Sequence, residues 1–246
     1  MNMKDNVLNN IKKEITLFYE KTFKDDLLFV IIYGSWAFGL NEEKSDVDIV
    51  GVCKKFKEGQ LENTIDFIKN LHKKYDLGFD EEIPYKNKVA VDMDFLKKAS
   101  NGDGFIKEKQ GIFIQPIVKS KEFLGSDKMA MRLLFNALTT KNIFCGGNME
   151  YYVKAKKNAL KNTVRIFYSA WKVNSLSLDE FVANLIEREG KTGQFYIGFE
   201  KEERVIHYLK ETFKETFKEL EVENKLVLNG QKYSIKNKEW FNEVSK

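Results

Sequence analysis

The sequence predicts an α/β protein: a mixed β-sheet flanked by helices over residues 1–125, followed by a helical C-terminal domain over residues 126–246 with a possible terminal hairpin. Three observations predict this. A continuous apolar run, Leu27 to Tyr33, is followed by a second β-rich run, Asp46 to Val52. Stretches on either side of these runs repeat apolar residues at helical spacing. From Ser126 onward the strand-type runs give way almost wholly to helical periodicity.

Taken in order, Met3 to Phe23 places Val7, Leu8, Ile11, Ile15 and Phe18 at helical spacing with charges between them, which predicts an amphipathic helix. "LLFVIIY" is short, β-branched and ended by glycine, as expected for a strand buried on both faces. In "DVDIVGV" the period of two sends Asp46 and Asp48 to one face and Val47 and Ile49 to the other. Leu61 to Tyr75 repeats Leu61, Ile65, Ile68 and Leu71 and predicts a second helix. "GFDEEIPY", "KVAVDMDFL" and "GIFIQPIV" are three more strand candidates, and Pro116 marks the last as an edge strand or a bulge. Asp127–Lys141, Glu150–Val173, Ser177–Glu189 and Glu200–Leu220 are expected helices. "NIFCGGN", residues 142–148, is expected to be the loop joining the first two of them. "KLVLNGQKYSI" carries Asn-Gly between β-rich flanks and predicts a hairpin.

Composition limits the function. With 43% hydrophobic and 32% charged residues the chain is an ordinary folded protein. The net charge of +4 is carried by lysines interleaved with acids, which disfavours a long nucleic-acid partner and suits a pocket for a small polyanion. Cys53, Cys145, His72 and His207 are too few and too dispersed for a zinc site. The cysteines are expected to be small buried residues, and the two histidines to lie at the surface. No apolar run approaches the roughly 18 residues of a membrane span, and the N-terminal stretch lacks a signal-peptide core, so a cytoplasmic protein is expected.

The chemistry concentrates in "YGSWAFGLNEEKSDVDIV", Tyr33 to Val50. A Gly-Ser turn at the end of a buried strand offers backbone N–H groups and a hydroxyl to phosphate oxygens. Gly39 lets the following loop close, and Ser35 to Phe38 can begin a short helix aimed at an anion. Two carboxylates on one face of the next strand repel each other and lose hydration unless something positive sits between them. Magnesium ions held by carboxylates and substrate phosphates meet that need.

This combination resembles the nucleotidyltransferase superfamily related to DNA polymerase beta, with Gly34, Ser35, Gly39, Asp46 and Asp48 as the matching residues. The resemblance implies a transferase that binds ATP or another nucleoside triphosphate with Mg2+, in two ions, and passes a nucleoside monophosphate to an acceptor hydroxyl. It implies metal binding by Asp46 and Asp48 and nucleotide binding by Gly34, Ser35 and Ser45. It also implies a third carboxylate from a later strand, for which Asp80 and Glu82 match by order and Asp92 and Asp94 are the alternative. Lys154, Lys157, Lys161 and Arg165 share one face of a helix; that face is either simply solvated or contacts the triphosphate. Tyr33, Trp36 and Phe38 can stack on a base or anchor the core. The two-part architecture looks like the antibiotic adenylyltransferases, which makes a small hydroxylated molecule the expected acceptor, and Glu42, Glu43 and Glu81 would suit a cationic one. The alternatives are a protein side chain, as in antitoxin nucleotidyltransferases, an RNA 3′ end, or a binding module without turnover.

Overall fold

The computed structural model describes residues 3–53, 59–78, 90–91, 111–114, 137–170, 172–191 and 203–242. The chain forms two compact units, residues 1–137 with 141–154 and residues 138–140 with 155–246. In the first unit α1 (Met3–Phe23) leads through a 3-10 turn into β1 (Leu27–Tyr33), and α2 (Ser35–Phe38) follows at once. Then come β2 (Asp48–Cys53), α3 (Gln60–Lys74), β3 (Ala90–Val91), β4 (Gly111–Ile114) and β5 (Ile143–Gly147). The strands form one sheet in the order β3-β4-β2-β1-β5, and every described pair is antiparallel.

All seven residues of β1 are buried because the strand is central and covered on both faces. One face carries Val30 and Ile32 with Ile49 and Cys145, and α1 packs there through Ile11, Ile15, Tyr19 and Phe23. Ile68 and Leu71 of α3 complete that cluster, and Phe18 stacks on Phe67 at 4.0 Å. Polar ties hold the two helices together: Lys74 Nζ and the Tyr75 hydroxyl both donate to Glu14. The opposite face of β1 carries Phe29, whose ring meets those of Tyr151 and Tyr152.

Two expectations fail in this unit. Residues 142–148 are no simple connector, because Ile143–Gly147 pairs with β1 in an antiparallel ladder. The two glycines that suggest a loop instead allow close approach. A Cβ on Gly147, at φ +94, would sit 2.6 Å from the Leu28 carbonyl oxygen and 2.7 Å from Phe29 Cα. β4 also lies between β3 and β2, so its described part is no edge strand, while the bulge expected at Pro116 lies outside the described residues.

Besides residues 138–140, the second unit takes up α4 (Met149–Ala170) from Ala155 and continues with β6 (Ser175–Leu176), α5 (Leu178–Lys191), α6 (Glu203–Val222), the hairpin β7 (Leu226–Asn229) and β8 (Lys232–Ile235), and α7 (Lys238–Asn242). A reciprocal capping box starts α5, with Ser177 Oγ accepting from the Glu180 amide at 3.1 Å and Glu180 accepting from the Ser177 amide at 2.8 Å. Phe167, Phe181, Phe213 and Phe217 fill the core of the helices with mostly edge-to-face contacts. The hairpin forms as expected, although Asn229 pairs with Lys232 and the two-residue loop is Gly230-Gln231. β6, absent from the sequence reading, adds a third strand beside β8. On α4 Val153 is 42% exposed, while Arg165, placed by its spacing on the basic face, is buried. Most of the expected helix Asp127–Lys141 lies outside the described residues, with Ala137–Thr139 helical. No described helix is long and apolar enough to cross a membrane.

Candidate active site

β1 ends where the Gly-Ser turn begins. Gly34 takes φ +71 and ψ −149, a conformation that a side chain strongly disfavours, and its carbonyl accepts from the amides of Ala37 and Phe38 to start α2. A four-residue helix carries little macrodipole, so the groups on offer are the first N–H groups of the turn and the Ser35 hydroxyl. Gly39, in the left-handed conformation, closes the helix. Trp36, Ala37 and Phe38 are buried, and Trp36 joins the core cluster, so the aromatic residues after the turn are anchors. The Trp36 indole N–H donates to the Ser45 carbonyl at 3.3 Å, which ties the turn to the loop that leads into β2. Within that loop Ser45 Oγ accepts from the Glu42 amide at 2.8 Å. Glu42 and Glu43 are exposed.

The antiparallel register sets Asp48 directly opposite Tyr33, at the last pair of β1 and β2, so their side chains share a face. That face meets the turn closely: a Cβ on Gly34 would lie 2.1 Å from Asp48 Oδ2. Asp48 is only 6% exposed, and neither its Oδ1 nor the Tyr33 hydroxyl has a hydrogen-bond partner among the described residues. Burial, and then repulsion from Asp46, push the Asp48 carboxyl well above its ordinary range. Asp46 precedes the strand, is half-buried, and is also pushed up by burial, with His72 opposing. Tyr33 is held protonated by burial and by both aspartates. No ion pair to either aspartate occurs among the described residues.

A histidine expected at the surface belongs to this region instead. His72 is fully buried, and its Nε2 lies 3.0 Å from the Val47 amide nitrogen. Helical spacing puts it on the same flank as Ile68, but nothing local in the sequence names the distant amide as its partner. His207 is exposed, as expected. Cys53 and Cys145 are free and buried, as expected of small core residues.

The aspartate pair fits a divalent cation. Its ligands are hard carboxylate oxygens, one of them buried without a partner, and the glycine beside them leaves room that any Cβ would fill. Among the described residues no group of three or more His, Cys, Asp and Glu gathers, so a third carboxylate is not placed there. Asp80, Glu81, Glu82, Asp92 and Asp94 all lie outside the described residues. On α4 Lys154 is exposed and makes no ion pair among the described residues. Lys157 bonds Glu219 at 2.9 Å, and Lys161 bonds Glu219 at 3.1 Å and Glu223 at 2.6 Å.

Comparison with protein families meets the same stretch. The family model of the nucleotidyltransferase domain matches residues 13–99, about a third of the chain. A Methanocaldococcus jannaschii protein named "putative protein adenylyltransferase" is 35% identical over 60 residues, which cover 24% of this chain and 41% of that protein. The match thus spans well under half of the relative's length. No solved structure matches. Together with the turn and the aspartate pair, these findings support the nucleotidyltransferase superfamily for residues 13–99.

Proposed function

We propose that the protein transfers a nucleoside monophosphate from a nucleoside triphosphate, with ATP first in line, to an acceptor hydroxyl and releases pyrophosphate. The observation that carries this reading is Asp48: a buried carboxylate with an unpartnered oxygen, pressed against a side-chain-free turn and repelled by Asp46. Such an arrangement is costly in the free protein and becomes favourable when a cation arrives with phosphate. Asp46 and Asp48 would hold magnesium, which when bound neutralises the carboxylates and the charge that develops on the phosphate oxygens.

The chain's own groups do the rest. Gly34 lets phosphate oxygens approach the backbone, and the Ser35 hydroxyl and the first N–H groups of α2 donate to them. Ser45, through its bond to Glu42, shapes the loop that delivers Asp46. The acceptor oxygen attacks the α-phosphorus in line, the bond from that phosphorus to the pyrophosphate oxygen breaks, and the acceptor proton passes to a carboxylate, for which Asp80 or Glu82 is proposed. Lys154, Lys157 and Lys161 are proposed as triphosphate contacts. Lys154 is the candidate whose charge is uncommitted among the described residues, whereas the other two must share theirs with Glu219 and Glu223.

For the acceptor, the two-part architecture supports a small hydroxylated molecule. A second reading, a protein side-chain hydroxyl, is favoured by the name of the archaeal relative. One experiment tests the function and separates the two. Magnesium-dependent pyrophosphate release is followed with each nucleoside triphosphate against a library of hydroxylated small molecules, in parallel with label transfer from α-labelled ATP into lysate proteins. Release or labelling above that of an Asp48→Asn control supports the proposal and names the acceptor class. No excess over that control in any arm overturns it.

A further inference from the structure

The buried ring of His72 meets two backbone groups. Nδ1 lies 2.8 Å from the carbonyl oxygen of Ile68, one turn earlier in α3, and Nε2 lies 3.0 Å from the amide nitrogen of Val47. A backbone amide can only donate, so Nε2 presents its lone pair; Nδ1 then carries the proton and donates to Ile68. The imidazole is therefore neutral and held in one tautomer. Its partner is a particular one, because the Val47 amide belongs to the peptide that joins Asp46 to Val47 and lies between the two carboxylates.

Sheet pairing does not reach that peptide. β2 begins at Asp48, whose partner is Tyr33, and Asp46 lies before the first paired residue. Besides the Trp36 indole on the Ser45 carbonyl, the approach to the strand is held by the far end of α3 and the turn after it. His72 takes the Val47 amide, and the Gly78 amide donates to the Lys44 carbonyl at 2.7 Å. The segment 44–47 is thus pinned at both ends by residues 72–78, while the ladder begins only at Asp48.

We propose that His72 is a positioning residue for the aspartate pair: by holding the Val47 peptide it sets the spacing at which Asp46 and Asp48 face a divalent cation. The inference rests on the reading of those aspartates as the metal-binding pair. His72 touches neither cation nor substrate and acts through one hydrogen bond, as outer-shell partners of metal ligands do.

The test is Mn2+ binding by the full chain, read from the electron paramagnetic resonance of the free ion, without nucleotide or turnover. His72→Leu removes the acceptor and is expected to weaken binding about tenfold to a hundredfold. His72→Gln, whose carboxamide oxygen can take the place of Nε2, is expected to recover most of the loss, a rescue that a purely space-filling role would not predict. His72→Leu binding as tightly as wild type, while Asp48→Asn does not bind, overturns the inference and leaves the aspartate assignment standing. Wild-type binding no tighter than that of Asp48→Asn overturns the aspartate assignment and the inference with it. Where His72→Leu does not fold, the 15N spectrum of the wild-type imidazole decides: a protonated Nδ1 with a bare Nε2 supports the inference, and any other state overturns it.

Discussion

Asp48→Asn keeps the shape of the side chain and removes its charge, and its effects on stability and activity should have opposite signs. Asp48 is buried, its Oδ1 lacks a partner among the described residues, and Asp46 repels it. An unsatisfied buried polar group costs about 1–3 kcal/mol, and a charged one costs more. The amide should therefore stabilise the metal-free protein by about 1–3 kcal/mol near neutral pH, a rise of roughly 2–12 °C in melting temperature for a unit of this size. The pH dependence carries a signature. The folded-state pKa lies above the ordinary 3.8, so from 3.8 upward the folded protein retains a proton that the unfolded chain has released. Wild-type stability consequently falls as pH rises through that window. Below 3.8 both states are protonated, and the advantage of asparagine should vanish. Thermal melts of the two proteins in metal-free buffer, compared near pH 3.5 and pH 7.5, read this directly. Transfer activity should fall at least about a hundredfold, since even outer-shell partners of a metal cost that much at the upper end of their range. An Asp48→Asn protein that is less stable than wild type at neutral pH, or whose advantage does not change with pH, would refute the desolvated-acid argument. Wild-type turnover in the variant would refute the assignment of the site.

Gly34→Ala should cost about 1–3 kcal/mol from the backbone conformation alone, and more from displacing the Asp48 carboxylate 2.1 Å away, with loss of nucleotide binding; a denaturant titration beside a binding isotherm checks both. Tyr33→Phe removes a buried hydroxyl with no partner among the described residues, so it should leave stability unchanged or raise it by up to about 1–3 kcal/mol in the same titration. A clear loss of stability would instead reveal a native partner for that hydroxyl. Lys161→Met should destabilise the C-terminal unit by about 0.5–1 kcal/mol, the scale of partly screened ion pairs, as read from its melting transition. Burial alone would raise the Glu219 carboxyl, but the hydrogen bonds from Lys157 and Lys161 bring it below the ordinary 4.5. Its contribution is therefore present above that pH and lost on acidification, and Lys161→Met should flatten this acid loss.

The elements that the sequence announces are those whose signal is local. α1 runs over the expected residues because Ile11 and Ile15 recur on one face, and β1 does so because seven apolar residues are closed by a glycine. α3, α5 and α6 begin and end within a few residues of expectation for the same reason. The strand after the turn was legible, although its pairing starts at Asp48 and leaves Asp46 outside it. Where the sequence misleads, a distant partner decides. Residues 142–148 read as a loop until β1 supplies a ladder for them, and the spacing of Arg165 sets it on the basic face of its helix until the packing of its own unit buries it.

By itself, then, the amino-acid order determined the Gly-Ser turn, the aspartate pair that follows it and the helices and strands around them, because each follows from periodicity or from the dihedral demands of neighbouring residues. Only the tertiary structure decided that Asp48 faces Tyr33 across a strand pair and presses on Gly34, and that His72 holds the peptide between the aspartates. These are contacts between segments far apart in the chain, set by how the sheet pairs and how α3 packs on it, and no local pattern encodes which atom will meet which.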